Sequence, residues 1–271
     1  MTGSLDWDGG VGRAWAEEWR RTDRSFAPLT ERLSEAIAAL PGRTIVDIGC
    51  GAGELALALA GSRPGARVLG LDISPELVAI ATRRAEGRDN CAFALADAAT
   101  WTPQDIAPDL YVSRHGVMFF DDPVAAFRHL GDVAARDAWL CFSCFRRPAD
   151  NPWASGIAAL LPSAPPSDTH APGPFAFADP QRVRDILEQA GWSQVRFEPV
   201  DFRYVAGAGE DPVDDALGFF ARIGPAARAM RSLTEAERPA FAERLRAFTA
   251  NNRAGDEVAF PAAAWIVTAA K

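Results

Sequence analysis

The chain has 271 residues, 48% of them apolar, and a formal net charge of −8. That length can bury a full core and suits one large domain with appendages. The acidic balance argues against a general nucleic-acid binder, which carries a basic face. No run approaches the roughly 18 consecutive apolar residues of a membrane span, so no membrane segment is expected. The opening MTGSLDWDGG lacks the basic and apolar regions of a signal peptide, which makes the cytoplasm the expected location.

Residues 1–40 read as N-terminal cap helices. Trp15 and Trp19 stand in WAEEW, and Leu29, Leu33, Ile37 and Leu40 recur at helical spacing until Pro41-Gly42 stops them. Residues 41–145 alternate strand and helix. A buried strand over 44–48 runs into the glycine-rich turn GCGAG and a helix over 54–60. A second strand over 66–71 ends at Asp72. Ser74-Pro75 then reads as a cap followed by proline at the first helical position. A third strand over 92–96 ends at Asp97, and a fourth covers 109–113. Asp122-Pro123 opens another helix, and a fifth strand covers 138–145. Residues 146–180 hold eight of the 20 prolines and read as a lid insertion. Residues 181–205 and 257–271 complete the core with a helix carrying Val183, Ile186 and Leu187 and two last strands. Residues 206–256 read as a second lid with two helices. The second of these has Thr234 and Glu237 in capping-box register and Phe241, Leu245 and Phe248 on one face. The alternation predicts an α/β fold with a mostly parallel, doubly wound sheet.

Several chemistries find no support. The CxxC spacing of Cys141 and Cys144 lies inside a strand, where side chains three apart face opposite ways, so the four cysteines read as buried thiols. The three histidines have no metal-ligand spacing, and no metal is expected. The single lysine, Lys271, is the last residue, which leaves no lysine for a Schiff base or a phosphate-binding loop.

The informative stretch is TIVDIGCGAG at 44–53. A strand that turns tightly into a helix leaves bare backbone at the C-terminal edge of the sheet, where ligands bind in open α/β folds. Asp47, Asp72 and Asp97 close three successive strands along that edge. Asp72 falls roughly 20 residues after the glycines, the usual place for a carboxylate that grips ribose hydroxyls. Two residues separate the adenosine cofactors. Glu54 stands where the dinucleotide fingerprint needs its third glycine, and Asp47 precedes the loop. Both repel a pyrophosphate. Asp47 suits a ligand with an ammonium or sulfonium, which describes S-adenosylmethionine.

The segments VDIGCGAGELALALA, GLDIS, LADA and DLYVSRHGVMFFDDP resemble, in order and spacing, the motifs of class I S-adenosylmethionine-dependent methyltransferases, in the small-molecule group similar to the ubiquinone-biosynthesis enzymes. The resemblance continues through APGPFAFADPQRVRDILEQAGW to AAAWIVTAAK, nearly the whole chain. It implies a Rossmann-like, seven-stranded sheet with an antiparallel last strand. It also implies that Asp47 approaches the methionine ammonium, with Gly49, Cys50, Gly51 and Gly53 under the methionine and ribose. Asp72 would hold the ribose hydroxyls, Ile73 would pack on adenine, and Asp97 and Ala98 would meet its edge. Ser113, Arg114 and His115 would line the wall by the methyl group. Trp15 and Trp19 would sit on a helix closing over the cofactor, or pack as an amphipathic face.

Two departures stand out. The group's commoner motif is SRFGVMFF, and this chain has His115 at the phenylalanine. Trp19 replaces a polar residue. His115 reads either as a base beside the methyl donor or as a buried wall histidine; His170 is a second candidate base. The expected partner is a small-molecule methyl acceptor, with neither nucleic acid nor membrane. Trp153, Phe175, Phe177, Phe219 and Phe220 in the lids fit an apolar or aromatic one. A non-catalytic S-adenosylmethionine-binding module and a dinucleotide oxidoreductase are the alternative readings.

Overall fold

The computed structural model describes Trp7, residues 9–161 and residues 171–271. Residues 162–170 of the proline-rich stretch, His170 included, lie outside the described residues. Helices α1 (Gly10–Glu17) and α2 (Trp19–Ala38) precede the sheet. Then follow β1 (Thr44–Ile48), α3 (Glu54–Ser62), β2 (Arg67–Asp72), α4 (Pro75–Arg84), β3 (Cys91–Leu95), β4 (Leu110–Arg114), α5 (Pro123–Val133) and β5 (Trp139–Phe145). The first lid contributes α6 (Pro152–Ala159), and α7 (Pro180–Gln189) leads to β6 (Ser193–Ala208). The second lid holds α8 (Pro212–Arg222), α9 (Gly224–Ser232) and α10 (Arg238–Asn251), and β7 (Arg253–Ala254) and β8 (Glu257–Ala270) close the chain.

The sheet runs β3-β2-β1-β4-β5-β8-β6. The first five strands are parallel, and β8 is antiparallel to both β5 and β6. This is the expected mostly parallel Rossmann-like sheet; the eighth strand, β7, is a two-residue ribbon on β8. The helix starts follow their sequence signals. Ser74, Asp122 and Asp179 each accept a backbone N–H with their side chain, and proline opens each helix. The chain winds from β1 through β2 to β3 and then returns to place β4 on the other side of β1. The ends of β1 and β4 therefore flank the switch point, where crevices form.

The second lid holds three helices rather than the two expected. Gly224 at φ +76° and Pro225 divide one apolar run into α8 and α9. Of the capping box, the carboxylate half forms: Glu237 accepts from both the backbone N–H and the hydroxyl of Thr234.

The first lid is pinned by one buried side chain. The Asn151 amide donates to the carbonyls of Arg146, Arg147 and Ala263, and its oxygen accepts from Ala263 N–H at 3.0 Å and Trp153 Nε1 at 3.2 Å. Asn151 is fully buried, so each partner would otherwise lack water. Asn151→Ala should destabilise the protein by about 3 kcal/mol, because it orphans two buried donors. The check is a melting temperature lowered on the order of 10 °C; a change within a degree would show that the lid is held by other contacts.

Candidate functional site

A cavity of about 1000 Å³ opens at the C-terminal edge of β1, β2 and β4, roofed by α1, α2 and the lids. Its floor at one end is the glycine turn. Gly49, at φ +62°, passes so close to Gly116 that a Cβ would lie 2.9 Å from the Gly116 Cα. At Gly51, φ +55°, a Cβ would meet nothing within 4 Å, so the backbone there presents a bare surface to the cavity. Asp72 shapes this floor. Its two oxygens accept from Gly51 N–H at 2.8 Å and Ser74 N–H at 2.9 Å. Asp97 is exposed beside it and accepts from Ala99 N–H.

Asp47 lies beneath the turn with 1% of its surface exposed, and its Oδ2 has no hydrogen-bond partner among the described residues. Burial pushes its carboxyl up to about 7; Arg114 and a backbone bond from Ala56 oppose the shift, and Asp72 adds to it. Burial also raises Asp72, against its backbone hydrogen bonds. Arg114 hydrogen-bonds Glu54 and donates to Thr30 Oγ1 at 2.9 Å, with Asp23 3.7 Å away and the Phe26 ring beneath. Burial lowers the Arg114 pKa, opposed first by Asp23 and Asp47. Arg84 pairs with Asp23 at 2.8 Å, donates to the Ala52 carbonyl at 2.7 Å and lies over Trp19. Glu54 is thus held by Arg114 instead of projecting at a ligand, and the bias against a pyrophosphate rests on Asp47 and Asp72.

The other end of the cavity is aromatic. Phe145 packs edge-on against His115 at 4.1 Å, Phe26 lies 5.3 Å from it, and Trp153 stacks on Tyr204 at 5.0 Å. His115 adopts φ +64°, its backbone N–H donates to the Ser143 carbonyl, and its Nδ1 sits 2.7 Å from Ser143 Oγ. Its Nε2 is buried without a hydrogen-bond partner among the described residues. Burial, then Arg114, lowers its pKa to about 3, so the ring is neutral at physiological pH. Arg222, Arg228 and Arg231 of α8 and α9 stand at the rim, where Arg222 pairs with Glu17 and Glu18.

The cavity wall gathers Asp47, Gly49, Cys50, Gly51, Asp72, Ile73, Asp97, Ala98, Arg114, His115, Trp15 and Trp19. Gly53 and Ser113 do not border it. Gly53 turns the chain into α3, and a Cβ there would strike Phe93. Ser113 is fully buried; its hydroxyl donates to the Ile48 carbonyl at 2.7 Å and accepts from Gly116 N–H, which locks β4 to β1. Of the lid aromatics, Trp153, Phe175 and Phe220 face the cavity, whereas Phe177 packs on Phe127 and Phe142 in the core and Phe219 is fully buried. The sequence reading missed Thr22, Asp23 and Phe26 on α2, Tyr204 on β6 and Trp7, which packs on Trp15 and Phe119. Helical spacing from Leu29 onward was the available signal; α2 begins three turns earlier.

Residues 45–137 match the model of a methyltransferase domain. The chain is 39% identical over 103 residues to a trans-aconitate 2-methyltransferase of Methylobacterium radiotolerans, covering 38% of each chain. It is 39% identical over 101 residues to a demethylmenaquinone methyltransferase of Thermus thermophilus, covering 37% of this chain and 46% of that one. The aligned parts span less than half the length of these curated relatives. Among solved structures, a putative methyltransferase of Bacillus halodurans superposes with a TM-score of 0.57 at 15% identity, covering 89% of this chain and 98% of that one. A phosphoethanolamine N-methyltransferase of Haemonchus contortus superposes with a TM-score of 0.56 at 14% identity, covering 96% of this chain and 57% of that one. Fold and matched segment together define a Rossmann-like methyltransferase domain. The matched segment, 45–137, is similar to a methyltransferase domain, and the glycine turn, strands β2 to β4 and all of β1 but Thr44 lie within it. Among the described residues no helix is long and apolar enough to cross a membrane, and no His, Cys, Asp and Glu cluster could hold a metal. All four cysteines are buried free thiols.

The raised carboxyl of Asp47 has a signed consequence for stability. The folded value near 7 exceeds the unfolded value of 3.8. Between those values the unfolded chain has released a proton that the native state retains, so stability falls as pH rises through that window and levels off above it. Asp47→Asn removes this cost. Denaturant unfolding of the ligand-free variant should show a gain on the order of a few kcal/mol at pH 8 and a smaller one at pH 5. Equal gains at both pH values would show that Asp47 does not carry the shift.

Proposed function

We propose that the protein transfers the methyl group of S-adenosylmethionine to a small organic acceptor with an apolar or aromatic body. The observation that carries this reading is the buried, unpartnered Asp47 oxygen beside a bare glycine floor and a second carboxylate. The site fits the cofactor. Asp47 and Asp23 supply negative charge for its cationic tail, and Thr22 adds a hydroxyl. Asp72, whose carboxylate keeps acceptor capacity after binding the backbone N–H groups of Gly51, Ser74 and Ile73, would hold the ribose hydroxyls. Ile73 and Ala98 would enclose the adenine, with Asp97 at its edge, and Trp15 and Trp19 would cover the mouth.

When bound, the cofactor supplies a methyl group already activated on a sulfonium. The chain's own work is to place the acceptor in line, with the reacting atoms about 3–3.5 Å apart, and to keep water out. The aromatic wall of Phe26, Phe145, Trp153, Phe175 and Tyr204 does both. The acceptors named for the relatives, trans-aconitate and demethylmenaquinone, differ widely, and the family match ends at residue 137, before the lids. The acceptor is therefore read from this chain's own wall.

Calorimetric titration with S-adenosylmethionine and with NADH tests the cofactor, and S-adenosylhomocysteine formation in a cell extract tests transfer. Saturable binding of the first, none of the second, and product formation are expected. Binding of NADH alone would overturn the reading. Asp72→Ala should weaken S-adenosylmethionine binding roughly 10- to 100-fold, the worth of charge-assisted hydrogen bonds. Affinity should also fall with acidification. Below pH of about 7 the ligand must displace a proton from Asp47, so Kd should rise up to about tenfold per unit, a slope absent in Asp47→Asn.

A further inference from the structure

The second lid brings positive charge to a cavity whose cofactor end is acidic. Residues 222–233, RIGPAARAMRSL, hold three arginines and no acid in a chain of net charge −8. Arg222, Arg228 and Arg231 all border the cavity and are exposed at its rim. Asp23, Asp47, Asp72 and Asp97 border it around the glycine turn. The cavity is therefore polarised, with carboxylates at the strand ends and guanidinium groups at the lid.

The three arginines differ in what they hold. Arg222 is committed to Glu17 and Glu18, and Arg228 has interactions of its own. Arg231 forms no ion pair or hydrogen bond among the described residues. Its place in the last turn of α9 suits a cation and leaves the guanidinium fork open. Glu237, the first residue past α9 to bring a carboxylate to the cavity wall, accepts from the backbone N–H and hydroxyl of Thr234 instead. The walls beside α9 are apolar: Ile157, Leu161, Phe220, Ile223, Ala227 and Leu233 line the cavity there. Helix α9 packs on α8 and on α6, which carries Trp153 of the aromatic wall. The open arginine and the aromatic rings are thus carried by helices in direct contact.

An occupant that satisfies both has an apolar body and an anionic end. A carboxylate matches the planar guanidinium fork with two parallel N–H···O bonds. The acids around the glycine turn repel such an anion, so it lies at the rim and lets the body run inward along the aromatic wall. We infer that the methyl acceptor is a carboxylate whose anionic group is held by Arg231, which makes Arg231 a specificity-determining residue. The inference rests on the reading that this cavity binds a methyl acceptor. The carboxylate is a handle at the end remote from the cofactor. The atom that takes the methyl group belongs to the body, and the product keeps its charge. The rim arginines also steer an anion toward a chain whose overall charge would repel it.

The test compares matched pairs. Benzoate, cinnamate and 1-naphthoate are each compared with their primary amides, which keep the shape and lose the charge. They are titrated calorimetrically at low salt into the full chain, with and without saturating S-adenosylhomocysteine. The acid of the best-binding pair should bind at least about threefold more tightly than its amide, a ratio kept modest by the exposure of the rim. The preference should shrink toward unity at about 0.5 M salt. Arg231→Gln should bring the two affinities together, and Arg231→Glu should invert the preference. Arg231→Lys, which keeps the charge without the fork, should retain part of it. In all three variants the affinities for the amide and for S-adenosylhomocysteine should stay within about twofold of wild type, a pattern that a merely structural role would not give. Arg67→Glu, at the start of β2 on the edge of the sheet away from the cavity, controls for net charge and should leave the ratio unchanged. Equal affinities of acid and amide in every pair, no binding of any probe up to its solubility limit, or the same loss of preference in Arg67→Glu overturns the assignment. If S-adenosylhomocysteine fails to bind while the acid preference persists in the bare chain, the anion handle stands and the methyltransferase reading fails.

Discussion

The site depends on a shortage of positive charge. Asp23, Asp47, Glu54 and Asp72 converge around the ends of β1 and β2, and the guanidinium groups of Arg84 and Arg114 answer them. Arg114 is shared among Glu54, Asp23 and, through space, Asp47. Two cations facing four acids in a low-dielectric cleft leave the network incomplete. It can be relieved by protonating Asp47, as its raised pKa indicates, or by a cation arriving from outside. The core forces this choice, because β1 must be buried to hold the centre of the sheet and Asp47 is carried in with it. Stability is spent on keeping that charge unmet.

The rest of the molecule distributes work around that cleft. The parallel half of the sheet brings strand ends and glycine backbone to one edge, and these elements are short and local. The antiparallel half, β8 and β6, serves the lids: Asn151 ties the first to β8, and Gly207 lets α8 approach β6 so closely that a Cβ would lie 2.0 Å from the Pro212 carbonyl. The two ends of the cavity are thus built by different kinds of contact.

That division explains what could be read in the sequence. The strands, the glycine turn and the aspartates at strand ends were legible because each is a local pattern of a few residues. The third lid helix was hidden by the apolar run through α8 and α9, which gave no period break except Gly224-Pro225. Asp23 and Phe26 were hidden because their importance comes from where α2 lies, and nothing near them in the chain declares it. The partnership of Arg114 with Glu54, and that of His115 with Ser143, each join segments brought together by the sheet alone. Glu54 illustrates the point. Its charge was visible, but its direction depended on an arginine 60 residues away.

Helix α2 carries this further. Thr22 and Asp23 line the cavity, Phe26 lies one turn on beside His115, and Thr30 one turn beyond holds Arg114. An α-helix advances about 5.4 Å per turn, so these groups are graduations on one rigid ruler. The spacing between the two ends of the cavity is metered by covalent geometry, and no lid has to set it. A lid can then change in sequence while the distance between the two ends of the cavity stays the same.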